Sequence, residues 1–131
     1  MGMMLYDSTF FVDLDRELRR GEQGGAHRFL HAHARDEMAM SVITRAELAR
    51  GFNTRERWQY FCDGFHIMGI DDEVIWSAAE LFRHLQSAGT LIADNDLWIA
   101  ATALQAGLPL VTDNVRHFQR VPGLQVRTHR I

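Results

Sequence analysis

Short apolar runs alternate along this chain with segments of helical periodicity, and that alternation predicts a mainly parallel sheet with helices on both faces. Met3 to Tyr6 reads as a buried strand. Ser8 or Thr9 can cap a helix to about Arg20, with Phe10, Leu14 and Leu18 at helical spacing. Gly21, Gly24 and Gly25 interrupt it before a second helix, about Ala26 to Arg35, which turns Phe29 and Leu30 inward. Met38 to Ser41 is the next strand, succeeded by a helix from about Ile43 to Arg50 that stops at Gly51. Thr54 caps a helix over Arg55 to Cys62, and Phe65 to Met68 forms a third strand. Asp71 or Asp72 opens a long helix to about Ser87, striped by Ile75, Ala78, Ala79, Phe82 and Leu85. Asp94 to Ala106 is apolar nearly all round, which predicts a centrally buried helix. Gly107 ends it, and Leu108 to Thr112 and Leu124 to Arg127 are the fourth and fifth strands. With 131 residues, 47% of them apolar, the expectation is one α/β domain over residues 1–131, built as three layers.

Four of the junctions between elements carry a carboxylate. Asp7 comes after the first strand, Glu47 lies just past the second, Asp96 opens the apolar helix and Asp113 closes the fourth strand. In an α/β sheet such positions gather beyond the carboxyl ends of the strands, where ligands bind. Four acids converging there would repel one another unless a cation sat among them, which is the outline of a metal-dependent phosphoryl-transfer site. Mg²⁺ fits such oxygen donors, because it keeps several waters and takes one or two carboxylates plus substrate phosphate.

Each acid also has a plainer use. Asp7, with Ser8 and Thr9, can cap a helix. Thr44-Arg45-Ala46-Glu47 has the spacing of a capping box. Asp94 and Asp96 suit the positive end of a helix, and Asp113-Asn114 suits a turn. Four acids at equivalent topological points are more than capping requires.

Composition narrows the class further. No apolar run reaches the ~20 residues of a membrane span, and no secretory signal precedes Asp7. The single Cys62 forms no intrachain disulfide, which fits a cytoplasmic location. Net charge is −3, unusual for a nucleic-acid partner, although a bound divalent ion inverts the local field. All 14 basic residues are Arg. Receiver domains and haloacid-dehalogenase-type phosphatases, two other acid-lined α/β classes, need a site Lys that this chain does not have. His27, His31 and His33 read as a solvated helix face rather than a zinc site. Arg116, Arg120, Arg127 and Arg130 make the C-terminal end locally basic, and Phe52, Trp58, Tyr60, Phe61 and Phe65 read as core.

Four blocks together carry a resemblance: Leu5-Tyr6-Asp7-Ser8-Thr9 with Val12-Asp13-Leu14; Ser41 to Leu48 with Gly51; Asn95 to Leu104; and Gly107 to Asn114 with His117-Phe118. In these the chain resembles the PIN-domain ribonucleases, specifically the VapC-type toxins of bacterial toxin–antitoxin pairs. The resemblance implies a PIN-like three-layer fold and a Mg²⁺-dependent endoribonuclease, with Mn²⁺ as a substitute. It also implies an RNA substrate, a cognate antitoxin whose C-terminal segment lies across the active-site groove, and a homodimer. Asp7 and Asp96 fall on the main metal-binding acids, Glu47 on the third, and Thr9 on a supporting hydroxyl. The family's fourth acid aligns with Asn114, with Asp113 one residue earlier, so either could face the metal. Arg116 is a candidate phosphate contact. A structure-specific DNA nuclease on this fold, and an inert module acting through complex formation, are the competing expectations.

Overall fold

The computed structural model describes residues 2–130. Its elements run β1 (Met3–Tyr6), α1 (Ser8–Arg20), α2 (Gly25–Ala32), β2 (Glu37–Ser41), α3 (Val42–Ala49), α4 (Arg55–Cys62), β3 (His66–Met68), α5 (Asp72–Ser87), α6 (Asp94–Ala106), β4 (Leu110–Val111), α7 (Val115–Phe118) and β5 (Val126–Arg127). The five strands form one sheet in the order β3-β2-β1-β4-β5, and every pairing is parallel.

The pleat divides the core in two, because successive side chains point to opposite faces. Leu5, Ala39 and Leu110 face one way, against Leu81 and Leu85 of α5 and Leu97, Ile99, Ala100 and Ala103 of α6. Met4, Tyr6, Met40 and Val111 face the other way, against Phe10 and Phe11 of α1, Ala26 of α2 and Cys62 of α4. The result is the expected α/β sandwich of three layers. Helix α6 is buried as its composition predicts, with six residues from Leu97 to Ala103 enclosed.

Several boundaries contract relative to the sequence pattern. Residues next to a helix end use their N–H to close the last helical turn, so they are lost to the ladder. Leu108 N–H bonds Ala103 O and Phe65 N–H bonds Cys62 O, while Pro109 has no N–H at all. The α5 stripe is also rotated from the expected one. Val74, Ala78, Leu81 and Leu85 are buried, and Ile75 and Phe82 point outward. Two overlapping i, i+3, i+4, i+7 sets compete in this segment, and contact with α6 selects the other. On α1, Leu18 is 60% exposed rather than core, and Tyr60 of α4 is 84% exposed, unlike Trp58, Phe61 and Phe65, which pack on the core.

Gly21 ends α1, and Gly24 leaves room for the Glu17 carboxylate, which a Cβ there would meet at 2.7 Å. Glu17 reaches across the loop and accepts from the backbone N–H groups of Ala26 (3.0 Å) and His27 (3.0 Å), capping α2, while His27 Nδ1 sits 2.7 Å from the same carboxylate. His33 in turn pairs with Asp36 at 3.0 Å, so these two histidines have structural partners.

Tyr6 is wholly enclosed among Phe10, Phe11 and Phe29, and its hydroxyl finds no hydrogen-bond partner among the described residues. Burial, with the Asp36 charge behind it, pushes the phenol pKa up to about 12. A buried hydroxyl without a partner costs ~1 kcal/mol or more. Tyr6→Phe is therefore expected to raise stability by about 1 kcal/mol in urea denaturation; a loss of that size would mean that the hydroxyl is satisfied.

Candidate active site

The site lies where the strand order reverses. β1 has β2 on one side, reached early in the chain, and β4 on the other, reached only after α6. Ligands bind at such switch points, beyond the carboxyl ends of the strands. Asp7 comes directly after β1 and Thr112 directly after β4, and the Asp7 N–H bonds Val111 O at 2.9 Å, so the two strand ends are held together.

Asp7 is 2% exposed and closely held. Its Oδ1 accepts from Ser8 N–H (2.7 Å), which caps α1. Its Oδ2 accepts from the hydroxyls of Thr112 (2.7 Å) and Thr9 (3.2 Å). These hydroxyls also tie down the turn after β4: Asp113 N–H donates to Thr9 Oγ1 and Asn114 N–H to Thr112 Oγ1, each at 2.9 Å. The Thr9 hydroxyl thus touches the Asp7 carboxylate directly. Thr112 does so more closely and is missed by sequence reasoning, because a Thr ending a strand gives no signal beyond β propensity.

Glu47 comes to the same edge. The expected capping box is not formed, since Ser41 caps α3, accepting from Thr44 N–H at 3.0 Å, and Thr44 is buried in the first turn. That leaves the Glu47 carboxylate uncommitted. Its Oε2 takes one long bond from Asn95 Nδ2 (3.4 Å), and its Oε1 is buried without a partner among the described residues. Burial raises its pKa above the usual glutamate value; the Asn95 amide offsets part of this, and the Asp7 charge pushes it higher again.

Asp96 enters from the first turn of α6. Its pKa is raised as well, first by burial and then by the charges of Asp7 and Glu47, with His117 pulling the other way. Glu47 thus lies within reach of the Asp7 charge, and Asp96 within reach of both. His117 enters the sequence pattern only as part of a motif, yet its Nδ1 lies 3.8 Å from Asp96 Oδ2 and 2.8 Å from Asn114 Nδ2. It sits on the short helix α7, whose four residues are too few to show a period.

The two candidates for the fourth position part company. The Asp113 carboxylate turns away from the cluster and pairs with Arg130, Oδ1 to Nε 3.0 Å. Asn114 is the one linked to the cluster, through His117. Arg116 is exposed, with no ion pair among the described residues. Nor do any three His, Cys, Asp or Glu side chains there stand ready-made as a metal cage. The donor set still suits a hard divalent ion, for it is all oxygen, mutually repulsive, and includes an enclosed carboxylate oxygen with nothing bonded to it.

Comparison with known proteins gives a consistent picture. The family described as PIN domain matches residues 4–124. Ribonuclease VapC1 of Methanocaldococcus jannaschii is 34% identical over 121 residues, covering 90% of this chain and 80% of that one. Ribonuclease VapC19 of Mycobacterium tuberculosis is 32% identical over 126 residues, covering 94% and 98%. The fold also superposes, with a TM-score of 0.80 and 25% identity over 98% of both chains, on a chain from the crystal structure of VapBC2 from Rickettsia felis bound to a DNA fragment from their promoter.

Proposed function

Because this chain belongs to the PIN-domain family and to its VapC-type branch, we propose that it is a Mg²⁺-dependent endoribonuclease, the toxin of a type II toxin–antitoxin pair acting in the cytoplasm. The observation that carries this reading is the convergence of Asp7, Glu47 and Asp96 at one sheet edge, with raised proton affinity on the latter two. Half-buried carboxylates that also feel a neighbouring acid's charge favour a bound cation that offsets both effects.

Asp7, Asp96 and Glu47 would hold the ion, directly or through water, and Mn²⁺ would substitute for Mg²⁺. When bound, it supplies Lewis acidity to a phosphoryl oxygen and acidifies a coordinated water. The remaining work belongs to the chain. The Thr9 and Thr112 hydroxyls fix the direction of Asp7 Oδ2, so the carboxylate does not reorient when the substrate arrives. Glu47, with one oxygen unengaged, can accept a proton from an attacking water. Asn114 and His117 present polar side chains on the Asp96 side of the site, and the exposed guanidinium of Arg116 would be available to the RNA backbone.

The antitoxin's place is a groove beside the acids. The exposed Val12 and Leu18 of α1 line it together with Phe52, Phe61 and Glu47. An apolar segment laid in it would reach the acidic cluster. Ile75, Trp76 and Phe82, outward on α5, form a separate apolar face suited to a second copy of the chain.

The test is purified chain with end-labelled RNA or DNA, in Mg²⁺ or in chelator. RNA cleavage that chelator abolishes supports the proposal. Preferential DNA cleavage transfers the activity to a DNA nuclease, and cleavage of neither, by a chain that still binds its antitoxin, leaves an inert module.

A further inference from the structure

Beyond β5 the chain turns back on itself. Thr128 Oγ1 accepts from Arg130 N–H (3.0 Å) and donates to Arg130 O (3.2 Å), closing a tight turn. The turn drives His129 into a fully enclosed slot, edge-on to Phe10 at 5.0 Å, with Nε2 2.7 Å from Asp13 Oδ2. Gly25 makes the slot possible, since a Cβ there would stand 2.6 Å from the His129 carbonyl oxygen. Arg130 then lays its guanidinium across two acids. Nε is 2.9 Å from Asp13 Oδ2 and 3.0 Å from Asp113 Oδ1, and Nη2 is 3.0 Å from Asp13 Oδ1.

Asp113 is one residue from Asn114, and its N–H donates to Thr9 Oγ1. With a lone pair engaged there, Thr9 directs its single hydroxyl proton at Asp7 Oδ2. A continuous polar path therefore runs from the end of the chain, through Asp113 and Thr9, to the most enclosed acid of the cluster. The same ion pair also keeps the Asp113 carboxylate from joining Asp7, Glu47 and Asp96 as a fourth charge.

We propose that Arg130 is a positioning residue for the acidic cluster: by pairing with Asp113 it holds that carboxylate out of the cluster and pins the turn that orients Thr9 and Asp7. This rests on the cation-binding reading of Asp7, Glu47 and Asp96. Without Arg130, Asp13 still has Arg16 and His129, but Asp113 loses its counter-charge and the turn after β4 is pulled off Thr9. The defect is thus an unpaired acid, and it is repairable at a second site.

The test is Mn²⁺ binding by titration calorimetry on the full chain, with hydrogen exchange at the Asp113 amide. Arg130→Gln is expected to weaken Mn²⁺ binding about fivefold, within the range of coupled neighbouring groups, and to speed Asp113 exchange. Arg130→Lys, which keeps the bridging charge, should stay near wild type. Asp113→Asn should also stay near wild type, since it removes the charge that needs Arg130 and keeps the backbone N–H that donates to Thr9 Oγ1. The Arg130→Gln/Asp113→Asn double variant should recover most of the lost affinity, because the unpaired acid is gone. Wild-type affinity in Arg130→Gln overturns the proposal. So does a loss that the double variant does not recover, since a merely structural role for the chain end would produce that. A wild-type chain that takes up no Mn²⁺ overturns the cation reading instead, and the Asp113 exchange rate then decides the role of Arg130 alone.

Discussion

An Asp7→Asn chain is expected to fold normally and to cleave RNA ~10²- to 10³-fold more slowly than wild type, the scale on which removing one preorganised electrostatic group acts. The fold survives because an asparagine Oδ1 still accepts from Ser8 N–H, and the hydroxyls of Thr9 and Thr112 can rotate to accept from the new amide. The substitution also removes one of the charges that raise the proton affinity of Glu47 and Asp96. The metal-free variant should therefore melt at or slightly above the wild-type temperature, whereas wild type alone should gain melting temperature on adding Mg²⁺ or Mn²⁺. Wild-type cleavage by the variant would take Asp7 out of the mechanism. A metal-dependent melting shift that survives the substitution would place the ion elsewhere.

The second large effect concerns Asp13, which joins α1 to the chain end. Its carboxyl is 7% exposed and bonded to Arg130, His129 and Arg16. The Arg130 hydrogen bonds, aided by His129 and opposed by burial, hold its pKa down to about 2. The folded value lies below the unfolded one of ~3.9, so the stabilisation is fully present above ~pH 5 and is lost as pH falls toward about 2. The shift corresponds to about 2 kcal/mol, reduced to roughly 1–2 kcal/mol because Arg130 is half exposed to screening solvent. Asp13→Ala at neutral pH should cost more, ~3 kcal/mol or roughly 10 °C of melting temperature, since it leaves the enclosed His129 ring without its acceptor. Urea denaturation at several pH values checks both. The gap between wild type and Asp13→Ala should narrow by roughly 1–2 kcal/mol from neutral pH to about pH 2.5. A gap that does not change with pH would mean that Asp13 acts by packing alone.

The order of strands and helices was legible from the chain itself, because a period of two and a period of 3.6 are local properties written into successive residues. The placing of Asp7 and Glu47 has a related reason: they follow β1 and β2, and strand-to-helix junctions of a parallel sheet share one edge. Asp96 opens a helix that follows another helix, so that rule alone does not bring it there. The choice between equivalent local options was not legible. Ser41 rather than Thr44 caps α3, and Val74-Ala78-Leu81-Leu85 rather than the stripe containing Ile75 and Phe82 faces the core. Only packing against β2 and α6 distinguishes them, since the local patterns are the same.

The fourth position of the site shows the same division. Sequence places Asp113 and Asn114 side by side and leaves both open. What separates them is Arg130, distant in the chain but near Asp113 in space, whose guanidinium meets Asp113 at 3.0 Å, while Asn114 is linked to Asp96 through His117. Thr112 and His117 entered the site by the same route. Periodicity and junction chemistry determined which elements form and which edge gathers the acids. Which oxygen points where was decided by hydrogen bonds and ion pairs between residues far apart in the chain, whose energies exist only once the sheet has brought them within reach.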